Sequence, residues 1–319
     1  MKISLVIPVY YNEKNLEPLY ADLKEKLFRQ FGCDYEIILV NDGSKDGSYE
    51  VMKRLADRDS HIRCFSLSRN FGSHAAVLCG LSKCTGDCAV IKAADMQEPA
   101  ELVLEMLASW KKGNNVVLAV RDGRDESKGQ TFFANFYYKL VQKTALPEMP
   151  DQGFDVYLID RKVIDVLNAL DEKNSALTGQ ILWSGFKTDK VYYHRLAREI
   201  GKSRWTLKKK IRLVMDTLFS FTDLPITIVL DVGFFSIIGA LIWAVTVLAA
   251  KITGSIEVSG WTTLFIFQLF SFGVIMMTLG ILGEYLWRCF DASRNRPPFI
   301  IEDEYQADGQ KDDHNTENG

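Results

Sequence analysis

The 319-residue chain has only four histidines, and its six cysteines (Cys33, Cys64, Cys79, Cys84, Cys88 and Cys289) never fall in a Cys-x-x-Cys spacing. That scarcity excludes a zinc framework and a disulfide scaffold, and a reduced compartment is expected. A net charge of −3 gives no bulk attraction to polyanions, so no nucleic-acid partner is expected. No cleavable leader is expected either, because Met1-Lys2 runs straight into the strand-like Ile3–Ile7. Charge itself is missing from one region: between Ile226 and Leu286 the only formal charges are Asp231, Lys251, Glu257 and Glu284.

What fills that region is apolar. Ile228–Ala250 and Thr262–Leu286 each exceed the roughly 20 residues a helix needs to cross a bilayer. Lys202, Arg204, Lys208, Lys209, Lys210 and Arg212 precede the first stretch, and Arg288, Arg294 and Arg296 follow the second. The cationic flanks predict a multi-pass protein of the cytoplasmic membrane with both termini cytoplasmic and a short external hairpin. Leu207, Ile211, Val214, Leu218 and Phe221 recur at helical spacing opposite the basic residues, which predicts an interfacial helix among membrane lipids. From Glu302 onward the chain carries seven acids and one lysine without periodicity, and disorder is expected there.

The first 160 residues alternate short β-rich runs with amphipathic ones. Strands are expected at Ile3–Ile7, Glu36–Val40, Ile62–Leu67, Cys88–Ala93 and Asn115–Ala119, with helical patterns between them. Such alternation, with continuously apolar strands, predicts a parallel α/β sheet covered on both faces. Ligands of such sheets bind beyond the carboxyl ends of the strands. Pro8, Tyr10 and Glu13 fall there after the first strand, Asn41-Asp42-Gly43-Ser44 after the second, Asp95 and Gln97 after the fourth, and Arg121 after the fifth.

Each motif has a bland reading beside a chemical one. Asp95 and Gln97, two residues apart on an extended backbone, would present their oxygens on one side and hold a hard cation against a diphosphate. They could equally be a polar strand end before the helix at Pro99. Asp42 could accept from a base or ribose, while Asp46 caps the next helix. Arg121 and Arg124 could clamp phosphates or simply be solvated. A further strand at Asp151–Asp160 places Asp155 and Tyr157 on one face, with Asp160 capping a helix from Arg161. Arg198-Glu199-Ile200-Gly201-Lys202-Ser203-Arg204-Trp205 reads as a basic turn able to fold over a diphosphate, or as a membrane anchor.

Taken in order, Ile7-Pro8-Val9-Tyr10, Asn41-Asp42-Gly43-Ser44, Leu67-Ser68-Arg69-Asn70-Phe71-Gly72, Asp95-Met96-Gln97-Glu98-Pro99, Gly201-Lys202-Ser203-Arg204, Gly283-Glu284-Tyr285-Leu286 and Arg294-Asn295-Arg296-Pro297 resemble the family-2 glycosyltransferases that act on polyprenyl phosphates. The resemblance spans nearly everything but the acidic tail. It implies a GT-A fold over residues 1–200, a basic loop and juxtamembrane helix over 201–225, two transmembrane helices over 226–287 and a cytoplasmic tail over 288–319. The implied activity is inverting transfer of a sugar, by default glucose, from a nucleoside-diphosphate sugar such as a UDP-sugar to a polyprenyl phosphate, in a homotetramer. The resemblance further implies that Pro8, Tyr10, Glu13 and Asp42 contact the nucleoside and that Arg121, Arg198, Ser203 and Arg204 contact phosphates. Asp95 and Gln97 would hold Mg²⁺ or Mn²⁺, and Asp155 would stand with Asp95 at the reacting centre.

Three residues depart from the family pattern. Ala93 replaces the first acid of the usual Asp-Ala-Asp, Val156-Tyr157 follow Asp155 where an arginine is common, and Tyr11 is an extra residue before Asn12-Glu13. Two competing readings stay open at this point. A processive polysaccharide synthase would want Gln-x-x-Arg-Trp, but Gly201 stands in the glutamine position; Ala93 would also suit a non-catalytic nucleotide-sugar sensor.

Overall fold

Apolar runs too continuous for a one-faced sheet set the centre of the architecture. In the computed structural model, which describes residues 1–30, 32–122, 138–170, 172, 176–196, 207–253 and 260–307, they form β1 (Lys2–Val9), β2 (Asp34–Asn41), β3 (Ile62–Leu67), β4 (Cys88–Ile91) and β5 (Val116–Arg121). Helices α1 (Glu13–Lys26), α2 (Ser48–Arg58), α3 (Ser73–Lys83) and α4 (Leu102–Trp110) alternate with them. Next come β6 (Val156–Asp160), α5 (Arg161–Ala169), α6 (Leu177–Trp183) and β7 (Thr188–Tyr193). Helices α7 (Leu207–Phe221), α8 (Leu224–Ile252) and α9 (Trp261–Ser293) precede a last strand, β8 (Ile301–Tyr305). The chain divides into two compact units, Met1–Leu213 with Pro297–Gly319, and Val214–Arg296.

One eight-stranded sheet, ordered β7-β5-β6-β4-β1-β2-β3-β8, organises the first unit. Parallel pairing joins β1 to β2 and β4, β2 to β3, and β5 to β7. The mostly parallel α/β sheet expected from the alternation is present, and its core is built from β1, β2 and β4 against α1, α2 and α4. Two strands depart from that expectation. β6 runs antiparallel between β4 and β5, pairing Ile91 with Tyr157 and Ala119 with Val156. Asp155, just before β6, therefore lies at the carboxyl ends of β4 and β5 because its strand is reversed, not because it is parallel.

The second departure is β8. Its acids read as a disordered tail, yet residues 301–305 pair antiparallel with β3. Composition misled here because the neighbours complement the charge. Glu304 meets Arg63 at 3.5 Å and Lys83 at 3.7 Å, and the Tyr305 hydroxyl donates to Asp57 at 2.5 Å. β8 also covers the β3 edge, which would otherwise offer unpaired backbone groups.

At the opposite end of the strands from Asp155 lies a buried acid, Glu36, only 4 % exposed. Oε1 accepts from the Ser4 hydroxyl at 2.6 Å and the Thr85 amide at 2.5 Å, and Lys2 Nζ stands 3.2 Å from Oε2. Burial pushes this carboxyl up, but the bonds from Ser4 and Thr85 and the Lys2 charge outweigh it and hold it below the usual glutamate value. A lowered folded pKa means that the contribution to stability is present above the unfolded value of about 4.3 and is lost as pH falls through the folded pKa. Glu36→Gln is expected to lower stability at neutral pH by about 1–3 kcal/mol. It should also flatten the acid limb of a melting-temperature profile, read in detergent; an acid limb identical to wild type would disprove this linkage.

In the second unit, α8 and α9 contain stretches, Leu224–Ala250 and Phe270–Ser293, long and apolar enough to cross a membrane, and neither is buried. Where α9 turns polar, Arg288 is tied to Asp216 of α7 at 2.9 Å and to Glu284 at 3.0 Å, with its guanidinium over the Phe219 ring. The sequence marked Arg288 as a flanking cation; within this unit it also joins α7 to α9.

Candidate active site

Loops leaving β1 and β2 are stitched together at the carboxyl end of the sheet. Tyr11, just before α1, takes a left-handed conformation, φ 56°. Its amide donates to Ser44 Oγ at 3.0 Å, Asn12 N donates to Ser48 Oγ at 3.0 Å, and Glu13 Oε2 accepts from Gly47 N at 3.1 Å. Asp46, expected to cap α2, stands one residue before the N-cap position, which Gly47 takes, and accepts from the Ser48 amide at 3.2 Å. Gly43, with φ +65°, lies so close to the Arg69 backbone that a Cβ would overlap it. Pro8 and Tyr10 are half-buried beside these turns, and Tyr10 meets Tyr11 edge to face.

Asp42 does something the sequence did not suggest. It is 3 % exposed, and its carboxylate accepts from Phe71 N at 2.7 Å, Gly72 N at 3.0 Å and Asn70 Nδ2 at 2.8 Å. Both oxygens anchor the loop between β3 and α3, a structural role beside the nucleoside contact expected of this carboxylate. Asn70, quoted only as part of a motif, is its partner.

The loop after β4 also differs from expectation. β4 ends at Ile91, and residues 94–96 form a turn with Met96 at φ 57°, so Asp95 and Gln97 are not alternating members of an extended strand. Gln97 N approaches Asp95 Oδ1 at 3.4 Å. The Gln97 side chain reaches across to the segment after β7: Oε1 accepts from Arg195 Nη2 at 2.6 Å and Nε2 donates to the Leu196 carbonyl at 3.2 Å. Beneath the loop, Lys92, 1 % exposed, donates to the Glu98 carbonyl at 2.6 Å and stands 3.5 Å from its carboxylate. Burial raises the Glu98 pKa against the opposing Lys92 charge, and Asp95 and Asp155 raise it further.

Arg121 and Asp155 meet as an ion pair, the arginine half-buried and the acid 61 % exposed. Desolvation would lower the Arg121 pKa, but Asp155 and a hydrogen bond with Tyr193 raise it above the usual value. Arg121 is thus held by chain groups rather than standing apart as a lone phosphate clamp. Arg124, Arg198, Ser203 and Arg204 lie outside the described residues. Sequence reasoning missed Lys92, Glu98, Tyr193 and Arg195. Recognising the half-polar run Thr188–Tyr193 as a strand would have exposed Arg195 as a strand-end cation.

The donor set bears on the divalent ion that the resemblance implies. No three histidine, cysteine or acidic side chains converge among the described residues. Asp95 supplies one carboxylate, and the second lone pair of Gln97 Oε1 adds a neutral oxygen. Mg²⁺ is held by one or two carboxylates together with substrate phosphates, so these residues fit an ion completed by a diphosphate.

Comparison with known proteins identifies the family. The model of glycosyl transferase family 2 matches residues 4–168. An uncharacterized glycosyltransferase of Bacillus subtilis (strain 168), YkcC, is 35% identical over 98% of this chain and 96% of its own length. A bactoprenol glucosyl transferase of Shigella phage SfV is 31% identical over 96% of this chain and 100% of its own. Among solved structures, mannosyl-3-phosphoglycerate synthase from Rubrobacter xylanophilus superposes with a TM-score of 0.48 at 16% identity, covering 68% of this chain and 72% of that one. With an open α/β sheet of GT-A type, a carboxyl-end cluster of acids and cations, and a family match over half the chain, the protein belongs to glycosyl transferase family 2 and is a glycosyltransferase.

Proposed function

We propose that the enzyme transfers a sugar, glucose by default, from a nucleoside-diphosphate sugar, UDP-glucose in the first instance, to a polyprenyl phosphate at the cytoplasmic face of a membrane. The observation that carries this reading is the similarity to the Shigella phage SfV bactoprenol glucosyl transferase, which runs through the apolar helices as well as the sheet. In this reading residues 1–200 catalyse, 201–225 line the interface, 226–287 span the bilayer and 288–319 return to the cytoplasm, and the working unit is a homotetramer. Pairing of β8 with β3 supports the topology, since the chain re-enters its starting unit after two apolar helices and must cross an even number of times. The basic residues on both flanks support a cytoplasmic catalytic domain.

In the transfer step an acceptor phosphate oxygen attacks the anomeric carbon from the face opposite the leaving group. The C–O bond to the diphosphate breaks, and the nucleoside diphosphate departs with the bonding electrons, inverting the centre. A phosphate monoester is mostly ionised at neutral pH, its second pKa being about 6, so the chain need not supply a strong base. Asp155, restrained by Arg121, orients the attacking group. Pro8, Tyr10 and Glu13 enclose the nucleoside, and Asp42 shapes that pocket through the loop it anchors. Arg121, Arg198, Ser203 and Arg204 face the phosphates. Asp95 with Gln97 would hold Mg²⁺ or Mn²⁺, which supplies positive charge to the departing diphosphate.

The test is a panel of UDP-glucose, UDP-GlcNAc, UDP-GalNAc and GDP-mannose with undecaprenyl phosphate and purified enzyme, the lipid product read by mass. A single hexose added to the lipid phosphate is the expected result. Formation of a polymer, or of no lipid-linked sugar with any donor, would refute the reading.

A further inference from the structure

We infer that Arg195, held in place by Gln97, binds the diphosphate of the donor. The inference rests on the nucleotide-sugar reading above and names a residue which that reading leaves without a role. It starts from the path of the chain after β7. Beyond Tyr193 the segment crosses to the loop that carries Asp95 and is fastened there by three hydrogen bonds. Leu196 N donates to the Gln97 carbonyl at 2.9 Å, Gln97 Nε2 donates to the Leu196 carbonyl, and Arg195 Nη2 donates to Gln97 Oε1. A guanidinium has five N–H donors, and these bonds employ one of them.

The rest of the group is unusual for a half-buried cation. Arg195 Nε is enclosed and has no hydrogen-bond partner, and among the described residues no carboxylate forms an ion pair with Arg195. Arg121, by contrast, is matched by Asp155, and Lys92 by Glu98. The buried Glu98 carboxylate feels the Arg195 charge without pairing with it, so the donors of this guanidinium that Gln97 does not use are left for an anion from outside the chain. Position selects which anion. Gln97 is two residues from Asp95, so the guanidinium is tied to the loop expected to face the donor phosphates, and planar forks match phosphate oxygens.

Arg195→Met, Arg195→Lys and wild type are compared in full-length, detergent-solubilised enzyme by calorimetric titration with UDP, UMP, GDP and GMP, with and without Mg²⁺, alongside KM values for donor and undecaprenyl phosphate. Arg195→Met should weaken the bound nucleoside diphosphate about tenfold or more, in both ionic conditions, while the monophosphate changes little. Arg195→Lys should recover part of that loss, a pattern that mere loop damage would not give. Unchanged diphosphate affinity, an equal loss for the monophosphate, or an effect confined to the KM of undecaprenyl phosphate would overturn the assignment. Wild type binding none of the four nucleotides would instead remove the nucleotide-sugar reading on which it rests.

Discussion

Asp95→Ala should reduce sugar transfer by about 10²–10³-fold or more, the scale seen when a group that stabilises developing charge is removed, with the fold intact. The structural reason for an intact fold is that bonds not involving Asp95 hold its loop at two points. The turn is closed from beneath by Lys92 on the Glu98 carbonyl and from the side by Gln97 on Leu196. Asp95 is half-buried, and the bond from Gln97 N is long, at 3.4 Å. Removing its carboxylate therefore removes the anion proposed to hold the metal, while these bonds remain. Turnover of labelled donor in membranes, melting temperature in detergent, and activity against Mn²⁺ concentration together check the claim. Activity within tenfold of wild type, at unchanged metal dependence, would end the assignment of Asp95.

Asp42→Ala should act in the opposite way, through stability. Truncation leaves the amides of Phe71 and Gly72 and the Asn70 side chain without their shared acceptor, in a place where Asp42 is almost fully enclosed. Each buried unsatisfied group costs about 1–3 kcal/mol, so a loss of about 3–5 kcal/mol is expected. For a domain of this size that corresponds to a fall of about 10 °C in melting temperature. Asn70→Ala, which removes one donor and keeps the acceptor, should cost far less. If Asp42→Ala instead melts like wild type and raises only the donor KM, the carboxylate belongs to the nucleoside after all.

The contrast between these two acids shows where sequence reading succeeds and where it stops. Both sit at strand ends in polar turns, and nothing local separates them. Asp42 is committed to a loop 28 residues away, a pairing that exists only once β2 and β3 lie side by side. Gln97 was grouped with Asp95 by spacing, but its side chain belongs to a segment 98 residues later. Glu304, in an acid run that composition reads as disorder, lies in an ordered strand because Arg63 and Lys83 stand opposite it.

By itself the sequence determined the α/β sheet and the two apolar helices, because period, run length and charge segregation are local properties. It also carried the family, through the order of short motifs. Tertiary structure alone decided the reversal of β6 that brings Asp155 to the carboxyl ends, the return of β8 to the sheet edge, and the partners of Asp42, Gln97 and Arg121. Those are decisions about which distant groups neutralise and satisfy one another, and hydrogen bonds between residues tens of positions apart leave no period in the chain.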